Sequence, residues 1–161
     1  MAVYFTSDTH FGDHRTLNIH KRGFGSVAAM DALLIERWNE AVSDSDEVWH
    51  LGDFARSGTA AEGLLARLNG RKYLVAGNND PPQTRAASGW ASVHDYAEVE
   101  LEGCRLVLCH YPFRTWNGQH RGAVNLHGHS HGKLKPLPRQ HDVGVDVWDW
   151  RPVTLAKILK A

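Results

Sequence analysis

The chain contains few cysteines, carries no excess of charge and has no long apolar run. Cys104 and Cys109 are the only cysteines, and on one strand they would lie about 16 Å apart, beyond the ~7 Å between Cα atoms that a disulfide allows. Two unpaired thiols favour a reducing compartment. No segment approaches the ~20 apolar residues of a membrane span, and the first residues do not resemble a signal peptide. We therefore predict a cytoplasmic protein without a membrane partner.

The charges balance, with 18 basic and 18 acidic residues, so there is no general attraction to nucleic acid or to an anionic membrane. The length of 161 residues suits one domain with a sizeable core. No repeat, linker or low-complexity tract divides the chain, and we predict a single domain over 1–161. The exception in composition is histidine: its 11 residues suggest a site that uses imidazole near neutral pH.

Three of the histidines, His127, His129 and His131, alternate within the segment Asn-Leu-His-Gly-His-Ser-His-Gly at 125–132. In an extended chain alternate side chains point to one side, so the three imidazoles would face the same way. Neutral imidazole is the commonest metal ligand, and the neighbouring glycines permit sharp turns close to an ion. The alternative is a surface cluster or a tag-like stretch, but the strand-like segment 123–126 directly before the run argues against it. The run predicts metal binding and leaves the metal open.

The first half of the chain predicts alternating strands and helices. Apolar, β-branched and aromatic runs predict strands at 2–7, 47–51 and 72–76. Apolar residues at helical spacing predict one helix that ends near Val42, with Ser26 as N-cap, and a second helix that begins at a capping box over 59–62. This order implies parallel strands, whose carboxyl ends share one edge of a sheet, where ligands bind.

The second half predicts a β-hairpin formed by 96–102 and 104–109, followed by strands at 123–126 and 141–147. The last segment, 154–160, fits a short helix or a strand equally well.

Polar clusters stand at the predicted strand ends: Asp8-x-His10, Gly52-Asp53, Gly77-Asn78-Asn79-Asp80, His110 and Gly128-His129-Ser130-His131. Each cluster alone is typical of a cap or a turn. Together and in this order they resemble the metal-binding signature of the calcineurin-like metallophosphoesterase superfamily, from the first strand to the last histidine cluster. The resemblance implies an α/β fold, a four-layer α/β/β/α sandwich of two mixed sheets flanked by helices. This chain would be a small, single-domain member of the bacterial or phage type.

The resemblance also implies two divalent metal ions and hydrolysis of a phosphate ester by a hydroxide that bridges them. Carried over by motif, one ion would be held by Asp8, His10 and His131, the other by Asn78, His110 and His129, with Asp53 shared by both. Carboxylate, imidazole and amide ligands suit Mn, Fe, Co, Ni or Zn, and the absence of cysteine from the motifs argues against a thiolate zinc site. The residues expected to act in catalysis are Asp53, Asn78, Asn79 and His129.

One residue departs from the pattern. Much of the superfamily has a histidine where this chain has Asn79, and that histidine helps to protonate the leaving oxygen. An amide can hydrogen-bond to phosphate but cannot donate a proton as a general acid. We therefore expect a preference for phosphodiesters or for substrates with a good leaving group. His14, His20 and His120 lie in nearby loops and are either alternative proton donors or plain loop residues.

Further residues are expected to support the site. Arg56 and Arg114 follow two of the motifs and are predicted, with Asn79, to bind the phosphate of the substrate. Asp80 is predicted to orient a ligand histidine, and His50 to be structural. Asp142 and Asp146 either support the site or cover the sheet.

Three other functions remain open: a phosphomonoesterase, a nuclease, and a catalytically silent interaction module of the same fold. Silent members tend to lose metal ligands, whereas here every ligand position is filled. A nuclease would be expected to carry a basic groove, and the only basic cluster, at 14–22, is modest. We expect a small phosphorylated substrate rather than nucleic acid. The physiological substrate, the native metal and the oligomeric state stay open.

Overall fold

The computed structural model describes residues 1–57 and 59–161. The strands, in chain order, are β1 (Val3–Thr6), β2 (Glu47–His50), β3 (Arg71–Val75), β4 (Trp90–His94), β5 (Ala97–Leu101), β6 (Cys104–Leu108), β7 (Val124–His127), β8 (Gln140–Asp142) and β9 (Val153–Thr154). The helices are α1 (Arg15–Ile19), α2 (Val27–Ala41), α3 (Ala61–Arg67), α4 (Pro82–Arg85) and α5 (Leu155–Ile158). None of the described helices is both long enough and apolar enough to cross a membrane.

Two mixed sheets pack face to face, which confirms the predicted architecture. The first has five strands in the order β4-β3-β2-β1-β9, in which β1 to β4 are parallel and β9 is antiparallel to β1. The second has four strands in the order β5-β6-β7-β8, with an antiparallel hairpin of β5 and β6 and parallel pairs from β6 to β8. The parallel pairs bring the carboxyl ends of β1, β2 and β3 to one edge of the first sheet.

Side chains alternate between the two faces of each strand, so the core divides into a layer between the sheets and a layer under the helices. Phe5 on β1 and Leu106 on β6 belong to the buried cluster between the two sheets, whereas Val48 on β2 faces the helices. On the helical side, α2 buries its apolar stripe, including Met30 and Trp38, and Ser26 caps this helix by accepting the backbone N–H of residue 29 at 3.1 Å. The predicted helix and its cap are therefore confirmed.

The outer face of the second sheet is covered mainly by a loop. Trp116 packs against Val107 and Ala123 there, and its indole N–H donates to the Ala123 carbonyl at 2.9 Å. A short 3₁₀ turn, Gln119–Arg121, follows in the same loop.

Several local predictions were wrong. Helix α3 begins at Ala61 after Ala60, without a side-chain cap, and Glu62 accepts hydrogen bonds from Ser88 rather than closing a capping box. The strand predicted at 141–147 ends at Asp142, because the carboxylate of that residue accepts the N–H of Gly144 and turns the chain.

The end of the chain combines both options that the sequence left open, since β9 is followed directly by α5. Helix α1 lies inside a segment read as a loop, and β4 and α4 were not predicted.

Candidate metal centre

The loops that follow the strands converge, and their backbone is constrained where they meet. Positive φ angles between +48° and +68° occur at Asp8, His10, Asp53, His129 and His131. This conformation is uncommon for residues other than glycine, and such residues cluster at functional sites. Backbone hydrogen bonds tie two of the loops together: the N–H of Asp8 donates to Gly52 at 2.9 Å, and the N–H of His10 donates to Asp53 at 3.0 Å.

One group of ligand atoms lies around Asp8. The Oδ1 atom of Asp8 is 3.8 Å from Nε2 of His10 and 3.8 Å from Nε2 of His131, and Nε2 of His10 is 3.5 Å from Oδ2 of Asp53. The other oxygen of Asp8, Oδ2, accepts hydrogen bonds from Ser7 and from the N–H of His129. These bonds fix the carboxylate so that Oδ1 faces the histidines.

Two atoms of this group are buried without a partner. Among the described residues, neither Oδ1 of Asp8 nor Nε2 of His10 has a hydrogen-bond partner. A buried polar atom that lacks a partner costs about 1–3 kcal/mol. A cation between these atoms would satisfy both, and Asp8, His10 and Asp53 together form a candidate metal-binding cluster.

A second group lies on the other side of Asp53. Nδ1 of His110 is 2.7 Å from the carbonyl of Leu51, which can only accept a hydrogen bond, so Nδ1 carries the proton. In a neutral ring Nε2 then holds a lone pair. This atom is 3.1 Å from Oδ1 of Asn78 and 3.6 Å from Oδ1 of Asp53, and the His129 ring lies 5.1 Å from the His110 ring. Three acceptor atoms thus face one another, as they would around a cation.

Burial favours the neutral forms of His10 and His129 and of the Asp8 carboxyl group. Burial lowers the pKa of His10 to about 3 and also lowers the pKa of His129. Burial raises the pKa of Asp8 well above its usual range. For Asp53, burial pushes the pKa upward, but the nearby His110 and the hydrogen bonds from Asn79 outweigh it and lower the pKa. Neutral imidazole is the form that binds metal.

A buried ion pair orients His131. Nδ1 of His131 donates to Asp146 at 2.8 Å, and the guanidinium of Arg22 holds the same carboxylate through two bonds of 3.0 and 2.9 Å. Arg22 also donates to the carbonyls of Asp8 and Thr9. Burial tends to raise the pKa of Asp146, but the bond from His131 and the charge of Arg22 bring it down to about 2. The role of Asp146 was open from the sequence, and no role was predicted for Arg22.

Asp80 binds backbone N–H groups rather than a ligand histidine, so its predicted role was wrong. Its carboxylate accepts the N–H groups of Asp53, Phe54 and Gly77 at 2.7, 2.8 and 2.7 Å. The two loops are too close for a side chain at Gly77, because a Cβ there would lie 2.3 Å from Oδ1 of Asp53. Asp80 therefore joins the loops after β2 and β3 and sets the position of Asp53.

The run of alternating histidines is not extended, so the prediction of one shared face was wrong. Strand β7 ends at His127, whose Nδ1 lies 2.7 Å from the Gly128 carbonyl. The chain then turns through the positive φ angles of His129 and His131, which point into the two ligand groups instead. His50, expected to be structural, is buried and bonds to Thr9 at 3.0 Å.

The expected substrate-binding residues lie at different places. Asn79 donates from its backbone and its side chain to the two oxygens of Asp53, at 2.8 and 2.9 Å. A cavity of about 530 Å³ opens beside it, lined by His10, Asp13, Arg15, Ala55, Arg56, Ser57, Asn78, Asn79, Asp80, Pro81 and Pro82. The guanidinium of Arg56 is 2.7 Å from Nδ1 of His14 at this cavity. Arg114 is exposed and is not among the lining residues.

The family follows from a match that covers most of the chain. Residues 1–142 match the model of the calcineurin-like phosphoesterase superfamily domain, and the chain belongs to this superfamily, as its motifs predicted. Members of this superfamily are metal-dependent hydrolases of phosphate esters.

Similar proteins have been found in an archaeon, a phage and a bacterium. The uncharacterized protein MJ1445 of Methanocaldococcus jannaschii is 30% identical, over 98% of this chain and 89% of its own length. The gene 66 protein of Mycobacterium phage D29 is 33% identical, over 91% of this chain and 88% of its own. The crystal structure of AQ665 from Aquifex aeolicus, a protein of unknown function, has the same fold, with a TM-score of 0.80, 24% identity and coverage of 98% and 97%.

Proposed function

We propose that this protein hydrolyses phosphodiesters at a centre of two divalent metal ions. The observation that carries the proposal is the position of Asp53. One of its oxygens lies 3.5 Å from Nε2 of His10, and the other lies 3.6 Å from Nε2 of His110. A carboxylate between two groups of buried lone pairs is the arrangement that a shared ligand of two ions requires.

The protein residues divide the work between them. One ion would be held by Asp8, His10 and His131, and the other by Asn78, His110 and His129, with Asp53 as a ligand common to both. When bound, the ions supply the activation of water and the neutralisation of phosphate charge that hydrolysis needs. Mn, Fe, Co, Ni and Zn all suit this ligand set. Asn79 fixes the shared carboxylate through two hydrogen bonds.

The preference for diesters rests on Asn79 and on the cavity beside it. The amide of Asn79 donates to Asp53 and cannot release a proton to a leaving oxygen. A diester with a good leaving group needs this proton less than an alkyl monoester does. The cavity next to Asn79 has room for the ester group, and Arg56 at its wall can bind the phosphate through charge-assisted hydrogen bonds.

The alternative of a silent interaction module explains the site less well. A module that binds no ion has no need to bury Oδ1 of Asp8 and Nε2 of His10 without partners. For substrate we favour a small phosphorylated molecule over nucleic acid, since the chain carries 18 basic and 18 acidic residues. A cytoplasmic location fits the two free cysteines.

A paired hydrolysis assay tests the proposed function. Metal-stripped protein would be given Mn, Ni, Co, Zn or Mg separately and assayed with bis-p-nitrophenyl phosphate and with p-nitrophenyl phosphate. We expect metal-dependent cleavage, mainly of the diester. Cleavage mainly of the monoester would support a metal-dependent phosphoesterase but contradict the preference for diesters. Folded protein that is inactive with every metal and both substrates would favour the interaction module.

Replacing Asn79 with histidine is expected to shift the substrate preference. The imidazole would supply the missing proton donor, so kcat/KM for an alkyl phosphate monoester relative to that for bis-p-nitrophenyl phosphate should rise by about 10²-fold, the lower end of what general acid catalysis contributes. The ratio is the right quantity because loss of the amide bond to Asp53 affects both substrates alike. Asn79→Ala is the control: it should slow both reactions without moving the ratio. An unchanged ratio in Asn79→His would disprove the role given to Asn79.

Replacing Arg56 with alanine is expected to raise KM for the diester by about tenfold, with a smaller effect on kcat, since a charge-assisted bond to phosphate contributes about 1.5–3 kcal/mol. Arg114→Ala is the matched control, because Arg114 is exposed and outside the cavity wall. Steady-state kinetics of both variants would show which arginine binds substrate. A larger effect from Arg114→Ala would show that Arg114, and not Arg56, binds the phosphate.

A further inference from the structure

His20 lies against the metal centre, although the superfamily motif gives it no role. Its ring stacks on that of His131, with centroids 3.5 Å apart and an angle of 11° between the planes. The His10 ring lies on the same side, 5.3 Å from His131 and 6.0 Å from His20. One ring nitrogen from each of the three histidines lies within 4.8 Å of the other two.

The backbone holds this ring in place. His20 ends helix α1, and its N–H donates to the carbonyl of Thr16 at 3.1 Å. Arg22, two residues further along, is anchored to Asp146 and to the loop after β1. The backbone of His20 is therefore held by helix α1 before it and by Arg22 after it, unlike that of a histidine in a free loop.

One nitrogen of His20 has no protein partner. Within the described part of the chain, its Nδ1 is buried and makes no hydrogen bond. The same is true of Nε2 of His10 and Oδ1 of Asp8 close by. Burial of a nitrogen lone pair without a partner is unfavourable, and the approach of ring nitrogens of His20, His10 and His131 to within 4.8 Å of one another indicates a common ligand.

We infer that His20 is an additional ligand of the ion held by Asp8, His10 and His131. The inference rests on the metal centre of the proposed function and extends it by one residue. With Asp53 counted, this ion would have three imidazole and two carboxylate ligands, which leaves one octahedral position for water or substrate. Imidazole-rich sites suit Ni, Co and Zn more than Mg or Mn. The His20 site would therefore bind Ni²⁺ more tightly than the site around Asn78, which offers fewer imidazoles.

A stacked ring could instead only hold His131 in position, and two substitutions separate these roles. His20→Phe keeps an aromatic ring on His131 but has no lone pair for an ion. His20→Ala removes both the ring and the nitrogen. His14→Ala is the control, because it removes an exposed imidazole from the start of the same helix.

The test is calorimetric titration of metal-stripped proteins with Ni²⁺ and with Mn²⁺, and it does not use activity. We expect two sites in the wild type and in His14→Ala. In both His20→Phe and His20→Ala one site should bind Ni²⁺ about 10- to 100-fold more weakly, with a smaller loss for Mn²⁺ and no change at the other site.

Each other result overturns the inference. Weaker binding in His20→Ala alone would show that the ring only packs on His131. Wild-type affinity in both variants would show that His20 does not contact the ion. A wild-type protein that binds no ion at all would overturn the proposed function together with this inference, so the two failures can be told apart.

Discussion

Replacing Asp53 with alanine is expected to reduce kcat/KM for a diester by on the order of 10³-fold or more, because in the proposed two-ion centre the change would remove a ligand from both ions. The structure puts Oδ2 of Asp53 beside His10 and Oδ1 beside His110. Metal analysis of the purified variant should show fewer than two ions per chain. Asp53→Asn, which keeps the shape of the side chain, should lose nearly as much activity because an amide is a weaker bridge than a carboxylate.

Asn78→Ala is the appropriate comparison, since Asn78 borders only the second group of ligand atoms, 3.1 Å from His110. We expect a smaller loss of activity and retention of the ion at Asp8. Circular dichroism should show that the variants are folded. If Asn78→Ala and Asp53→Ala lost equal activity, or if Asp53→Ala kept both ions, Asp53 would not be a shared ligand.

Replacing Arg22 with methionine is expected to lower the free energy of unfolding by about 3–5 kcal/mol, the cost of breaking a buried ion pair. The Arg22 side chain has no exposed surface, and the Asp146 side chain is only 12% exposed. The substitution would leave the carboxylate without its bidentate partner and two backbone carbonyls without a donor. Urea denaturation in the presence of EDTA measures this effect separately from any contribution of bound metal.

Arg85→Met is the matched control, because the pair of Arg85 with Asp95 lies at the surface, with side chains 39% and 78% exposed. A surface pair contributes about 0–1 kcal/mol, so this variant should be almost as stable as the wild type. The double variant Arg22→Met, Asp146→Leu should lose less stability than the sum of the single variants, since it leaves no unpaired charge. Equal losses from Arg22→Met and Arg85→Met would contradict the account of the buried pair.

The sequence was informative where function depends on residues at the ends of strands. Asp8 and Asp53 directly follow apolar runs, and parallel strands carry such residues to one edge, so their proximity could be predicted. The same order of elements predicted parallel strands joined by helices, whereas the sandwich of two mixed sheets was implied by the resemblance to the superfamily. The superfamily motifs then indicated which histidines share the metal site with Asp8 and Asp53.

What could not be predicted depends on contacts between distant loops. Arg22 and Asp146 are 124 positions apart, and no local pattern in the sequence indicates that their side chains meet. Asp80 was assigned to a histidine because local spacing gave no hint that it accepts three backbone N–H groups. His127 was predicted to face the same way as His129 and His131 because side chains alternate in an extended chain. The chain turns at His129, so the alternation ends there.

The ligands come from loops of both sheets, and this has a consequence for how the protein unfolds. Asp8 follows β1 of the first sheet, whereas His129 follows β7 of the second and contacts Asp8 across 121 positions of sequence. A bound ion would link the two sheets of the sandwich, so the sheets could not separate from each other without releasing the ion. When the concentration of free metal is 100 times its dissociation constant, binding of the ion adds about 2.7 kcal/mol to the free energy of unfolding. Chelation should lower the melting temperature measured by calorimetry, and the decrease should be smaller in Asp8→Ala, which would keep only the ion at Asn78, His110 and His129.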